Sequence, residues 1–286
     1  MSAVRRALGR AKRELKRQFR RRVGWPILSR THHWRTKVYF ISYPKSGRTW
    51  LRVMMGKALC DRYGLPEPLL LKTYRLTGKA GLPRTRWWHD GSDLAFAHPY
   101  QRMSAGKRRY RNKNVVVLVR NVKDVLVSSY FQATKGVHTF QGSISEFIRD
   151  DRFGARKVLT FYNQWYLARS VPRAFHVFRY EDLHRDTRGT LAGALGIVGA
   201  QGIDDGILAA AIEYGRFDKM KDIEQGKVFD NPVLRVKNDQ DPESFKVRRG
   251  VVRGYVDYLS EDDIRYIDGV IAEVGDLFDS EGLKVE

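Results

Sequence analysis

Short apolar runs alternate with helix-periodic segments along the body of the chain. Lys37–Ser42 (KVYFIS) and Asn114–Arg120 (NVVVLVR) are β-branched and aromatic runs of the kind buried on both faces of a parallel sheet. Ala174–Tyr180 (AFHVFRY) is a third such run and Leu94–His98 (LAFAH) a weaker fourth. Between them the helical period predicts helices over Thr49–Arg62, Val122–Thr134, Phe153–Ser170 and Thr187–Val198, with a last one from about Ser260 to Phe278. Past Gly202 the chain reads helical and then loop-like, because Asp230–Gly250 is rich in Asp, Asn and Pro. Strands alternating with helices predict an α/β fold, a single domain with a central, mostly parallel sheet flanked by helices. No run of about eighteen apolar residues is present to span a bilayer.

The N-terminus carries a different pattern. Val4, Ala7, Leu8, Ala11, Leu15, Phe19 and Val23 recur at three- and four-residue steps. Around them Arg5, Arg6, Arg10, Lys12, Arg13, Lys16, Arg17, Arg20, Arg21 and Arg22 stand against Glu14 alone. This reads as a basic amphipathic helix, so the chain divides into an arm over residues 1–37 and a domain over 38–286. Two readings are open for the arm: a solvated helix resting on its own domain or disordered, and a helix docked on an anionic membrane surface or another polyanion. It lacks the apolar core and cleavage site of a secretory signal. Cys60 is the single cysteine, which leaves no internal disulfide and no cysteine metal cluster. A cytoplasmic protein is expected, at the inner face of the membrane if the arm docks there. With 53 Lys and Arg against 32 Asp and Glu, a formal net charge of +21, its partners should be anionic: nucleic acid, lipid or a polyanionic small molecule.

Candidate chemistry sits where strands end. A strand closing at Ser42, a Pro-Lys-Ser-Gly turn and a helix opening near Thr49 form a strand–loop–helix unit, whose helix N-terminus offers free amides and a positive dipole end to an anion. Gly47 lets the backbone approach closely, Ser46 and Thr49 add hydroxyls, and Lys45 adds a mobile charge. The order is not that of a Walker A loop, since Lys45 precedes the glycine. An ordinary turn with a solvent lysine has the same local sequence. Asn114–Phe131 repeats the unit: Arg120 ends a buried strand and Ser128 lies one to two turns into the next helix. Arg120 could equally be a structural ion-pair partner, and Ser128 a small residue at a packing contact.

Four segments taken together carry a resemblance. YPKSGRTW from Tyr43, RNVKDVLVS from Arg120, RYEDL from Arg179 and RRGVVRGYVDYLS from Arg248 resemble, in order, the signature segments of sulfotransferases that use 3′-phosphoadenosine 5′-phosphosulfate (PAPS). The resemblance covers nearly the whole body and stops at the arm. It implies a P-loop-like phosphosulfate-binding turn and transfer of a sulfuryl group to an acceptor hydroxyl, leaving adenosine 3′,5′-bisphosphate, with no metal and no nucleic acid partner. Lys45 would neutralise the leaving group, and Ser46, Gly47 and Thr49 would hold the 5′-phosphate. Trp50 and Tyr180 would lie at the adenine, with Phe217 and Met220 lining the same pocket. Arg120 and Ser128 would grip the 3′-phosphate, and Arg248, Arg249 and Gly250 would close over it.

In-line sulfuryl transfer needs a base for the acceptor proton, and histidine suits that work near neutral pH. His98 is the expected base, the alternative being a surface histidine that ends a strand: it follows the apolar LAFA run, read as a strand, and stands 22 residues before Arg120, a spacing similar to that of the family's histidine. His32, His33, His89, His138, His176 and His184 lack that context. Three residues depart from the family pattern. Arg48 replaces a threonine and is expected to bind phosphate or the acceptor, Phe96 replaces a lysine two residues before His98, and Tyr255 replaces a tryptophan.

The acceptor, on a glycan, a glycolipid or another alcohol, is not set by these motifs. Tyr74–Asp93, with Trp87 and Trp88, reads as an insertion that shapes a substrate pocket, its tryptophans stacking on a sugar or packing in the core. A P-loop-type nucleotide kinase and a non-enzymatic polyanion- or membrane-binding protein are the alternatives. The first lacks the Gly-Lys-Ser/Thr order, and the second leaves the order of the four segments unexplained.

Overall fold

The computed structural model describes residues 32–226, 245 and 250–280. The arm up to residue 31 lies outside them, as do Arg248 and Arg249. In chain order the elements are β1 (Val38–Ser42), α1 (Arg48–Arg62), α2 (Thr73–Lys79), β2 (Thr85–Trp88), β3 (Asn114–Val119), α3 (Val122–Phe131), α4 (Ile144–Arg149) and α5 (Ala155–Leu167). They continue with β4 (Ala174–Arg179), α6 (Tyr180–Arg185), α7 (Thr187–Ile197), α8 (Asp205–Tyr214), α9 (Phe217–Glu224), α10 (Glu261–Val274) and α11 (Leu277–Ser280).

The four strands form one parallel sheet in the order β2-β1-β3-β4. β1 and β3 are central and almost wholly buried, which is why they read as continuous apolar runs. Alternate side chains feed two cores. Val38, Phe40, Val116 and Leu118 meet α1, α7 and α8 on one face. Tyr39, Ile41, Val115, Val117 and Val119 meet α3, α5 and α10 on the other. The chain leaves β1 toward β2 on one flank and returns to β3 on the other, so the carboxyl ends of β1 and β3 border a crevice of the kind that binds ligands in open α/β sheets.

One expected strand is misplaced. Leu94–His98 is not in the sheet: Leu94–Phe96 is a 3-10 turn, capped by Asp93, whose carboxylate accepts from the Ala95 amide at 3.0 Å. Ala97 then takes a left-handed φ of 46°, and the apolar Phe96 is 65% exposed. The fourth strand is Thr85–Trp88, inside the stretch read as an insertion. Trp87 anchors it, since its ring stacks on Phe40 at 4.4 Å and its Nε1 donates to Thr73 Oγ1 at 3.0 Å. Trp88 packs against the other core, and neither tryptophan lines the cavity described below. The last predicted helix is also shorter, because Gly275 at φ 78° stops α10 after Val274.

Candidate active site

The turn after β1 is built for an anion. Lys45 (φ 71°) and Gly47 (φ 83°) are both left-handed, which curls the chain tightly before α1. No side chain among the described residues caps α1; the Trp50 amide donates to the Gly47 carbonyl at 3.1 Å, which leaves the amides of Arg48 and Thr49 to face an anion. Gly47 is required twice over: its φ favours glycine, and a Cβ there would lie 2.5 Å from Tyr180 Cδ2.

Arg120 directly follows β3, opposite this turn. Its Nη1 donates to the Lys45 carbonyl at 3.2 Å and its Nη2 to the Val251 carbonyl at 3.0 Å, while the guanidinium lies 4.0 Å from the centre of the Tyr180 ring. The strand end itself is locked by Tyr162, whose hydroxyl donates to the Arg120 carbonyl at 2.9 Å and accepts from its amide at 3.0 Å. Asp124, buried on α3 and 3.7 Å from Arg120, accepts from the amides of Arg253 (2.8 Å) and Tyr255 (3.0 Å). Those bonds fasten the segment that starts at Gly250 beside the two strand ends. Sequence reasoning missed Asp124, although it stands in the quoted RNVKDVLVS segment. Its role needs a partner 129 residues away.

Lys45, Gly47, Arg48, Thr49, Trp50, Arg120, Ser128, Tyr180, Phe217, Met220 and Gly250 all line one cavity of about 690 Å³. Ser46, in the same turn, is buried and does not line it. Trp50 makes an aromatic wall with His184, 4.7 Å between ring centres, and with Tyr180 at 6.1 Å. Burial first, and then the Arg120 charge, hold the His184 imidazole below its ordinary pKa, so the wall is uncharged near neutral pH. Arg120 Nε is buried without a hydrogen-bond partner among the described residues, which costs free energy unless a polar ligand joins it. A ligand with two separated anionic ends and a planar base fits this donor set.

The expected base is displaced. His98 is exposed on the loop after the 3-10 turn, its ring parallel to Phe96 at 6.1 Å, and it does not line the cavity. His89 does. It directly follows β2, at the carboxyl end of a strand beside β1, and its Nδ1 meets the Ser42 carbonyl at 2.9 Å. A carbonyl only accepts, so Nδ1 carries the proton and Nε2 is the basic nitrogen of the ring. The signal for His89 is the Thr85–Trp88 run before it, masked because Arg86 interrupts the apolar pattern. Asp93 and Arg52 also line the cavity and were not singled out. Burial, then the like charge of Arg52, pull Arg48 down to about 10, with Asp93 opposing; burial pulls Arg52 to about 10 as well. Both stay protonated at neutral pH.

A sulfotransferase domain family model matches residues 99–279, more than half of the chain. That range takes in Arg120, Ser128 and Tyr180 and begins after Lys45 and His89. Sulfotransferase 2A6 of Rattus norvegicus is 24% identical over 205 residues, a match spanning 64% of this chain and 66% of that protein, just under two thirds of its length. Among solved structures, mouse sulfotransferase SULT7A1 complexed with PAP is 16% identical and covers 84% of each chain with a TM-score of 0.59. Retinol dehydratase in complex with androsterone and the inactive cofactor PAP is 16% identical, covering 85% of this chain and 81% of its own, with a TM-score of 0.57. These two likenesses show the same fold of parallel sheet and flanking helices. With the family model matched over most of the body, this chain belongs to the sulfotransferase family.

Proposed function

We propose that the protein is an enzyme that transfers a sulfuryl group from PAPS to an acceptor hydroxyl. The observation that carries this reading is the joining of two anion cradles, the Lys45 turn after β1 and Arg120 with Ser128 after β3, with His89 in one cavity. A polyanion-binding surface needs no such enclosed pair, and a simple kinase needs only one cradle.

Lys45, Ser46, Gly47 and Thr49 would hold the 5′ end of the cofactor, Arg120 and Ser128 its 3′-phosphate, and Trp50 and Tyr180 its base, with Phe217, Met220 and Gly250 around it. Arg248 and Arg249, carried over by the resemblance, join the 3′ side. When bound, PAPS supplies a sulfuryl group on a phosphate leaving group. His89 Nε2 takes the proton of the acceptor hydroxyl, its ring held by the Ser42 carbonyl. Lys45 stabilises the negative charge that grows on the leaving phosphate.

Calorimetry with adenosine 3′,5′-bisphosphate and AMP tests the reading. The 3′-phosphate adds charge-assisted hydrogen bonds, so the bisphosphate should bind at least roughly tenfold more tightly. Equal affinities would sink the proposal.

The basic arm supports reversible attachment to an anionic membrane surface, since each Lys or Arg near such a surface contributes about 1 kcal/mol. No helix among the described residues is long and apolar enough to cross a membrane. The full chain should co-sediment with anionic vesicles at low salt, and a chain beginning at Arg35 should not. Both chains staying in the supernatant ends this part of the reading.

A further inference from the structure

Two guanidiniums stand on the β2 flank of the cavity, on the other side of β1 from the Arg120 cradle. Arg48 and Arg52 are four residues apart on α1, so they share one face of that helix, and both line the cavity. Local physics does not favour them there. They occupy the first two turns, where the helix dipole opposes cations, and the first turn holds no acidic side chain.

The fold uses only one of the pair. Arg52 Nε donates to Thr73 Oγ1 at 3.2 Å and its Nη2 donates to the Leu71 carbonyl, which turns the side chain toward α2 and β2. Arg48 forms no hydrogen bond and no ion pair with any described residue. Asp93 acts on it only at longer range, and one Asp93 carboxylate oxygen accepts from the Ala95 amide. A half-buried cation beside a second cation is unfavourable unless an anion completes the group. His89 stands on the same flank, at the end of β2, and Leu71, Leu94 and Ala95 give that side an apolar wall.

We propose that this flank is the acceptor subsite and that the acceptor is itself anionic, its hydroxyl presented to His89 while a carboxylate or phosphate of the same molecule meets the Arg48 guanidinium. The proposal rests on the sulfuryl-transfer reading. Of the two roles open to Arg48 from the sequence, phosphate or acceptor, it selects acceptor recognition. A neutral alcohol would leave the Arg48 guanidinium without a directly bonded anion, so discrimination against it follows from the same contact.

The test begins with calorimetric binding of adenosine 3′,5′-bisphosphate to the full chain. Failure at this first step overturns the sulfuryl-transfer reading and this proposal with it. The saturated protein is then titrated separately with phenyl phosphate, benzoate and benzyl alcohol, and the two anions distinguish a phosphate from a carboxylate. At least one anion should bind roughly tenfold more tightly than the alcohol. Arg48→Gln, with Arg48→Met as a second uncharged variant, should erase that preference and keep the affinity for the bisphosphate. Three results overturn the proposal: no preference in the unmodified protein, a preference that survives in a folded variant, or a tenfold loss of bisphosphate affinity in Arg48→Gln, which returns Arg48 to the cofactor.

Discussion

Lys45→Ala should lower the rate of sulfuryl transfer by about a hundredfold or more, and weaken binding of adenosine 3′,5′-bisphosphate far less. The lysine charge matters most when charge grows on the leaving phosphate, so its loss is felt mainly in the transition state. Alanine keeps the Cβ that lysine already carries at φ 71°, so the substitution adds no new backbone strain. The Lys45 carbonyl also remains to accept from Arg120 Nη1. Arg120→Ala should behave in the opposite way. It removes the charge expected at the remote 3′-phosphate, together with the bonds to the Lys45 and Val251 carbonyls and the contact with Tyr180. Bisphosphate affinity should fall by at least roughly tenfold, and the rate at saturating PAPS should change little. Single-turnover rates and calorimetric affinities for both variants separate the roles. If Lys45→Ala loses rate and affinity by the same factor, the lysine is a uniform binding group and not a transition-state one.

The contrast reflects what could be read along the chain. β1 and β3 were legible because a parallel strand buried on both faces is apolar at successive positions, and Phe40, Ile41, Val116 and Val117 are all fully buried. The turns after them were legible for the same local reason: each anion-binding unit is a strand end, a short loop and a helix start, contiguous in sequence. The β2 flank was not. Thr85–Trp88 has an arginine between its inward residues, and it pairs along one side only, with β1. Leu94–His98 offered more apolar residues, but they have no strand beside them, and an Asp93 cap, a left-handed Ala97 and Pro99 keep them as turn and loop. Reading Leu94–His98 as the strand points to His98, whereas the strand that borders β1 ends at His89. Asp93 and Arg52 reach the cavity through strand order and helix packing, neither of which any local pattern records.

The base is where that difference has its largest consequence. His89→Asn should cut sulfuryl transfer by about a hundredfold or more while leaving bisphosphate binding nearly intact, since general-base catalysis contributes factors of this size. Asparagine is the informative substitution. Its amide can still donate to the Ser42 carbonyl that now accepts from Nδ1, so the end of β2 stays tied to β1, but it supplies no basic nitrogen. His98→Ala should leave the rate near that of the unmodified protein, because the ring is exposed beside Phe96 and outside the cavity. The departure from the family pattern near the base takes a new form as well. The residue two positions before His89 is Trp87, packed in the core, so with His89 as the base no lysine stands there to share the leaving-group charge, and Lys45 would carry more of it. Rates of both variants against pH, at saturating PAPS, decide between the two histidines. If His89→Asn keeps the rate and His98→Ala loses it, the base role passes back to His98, and the loop carrying it must fold over the cavity when the acceptor binds.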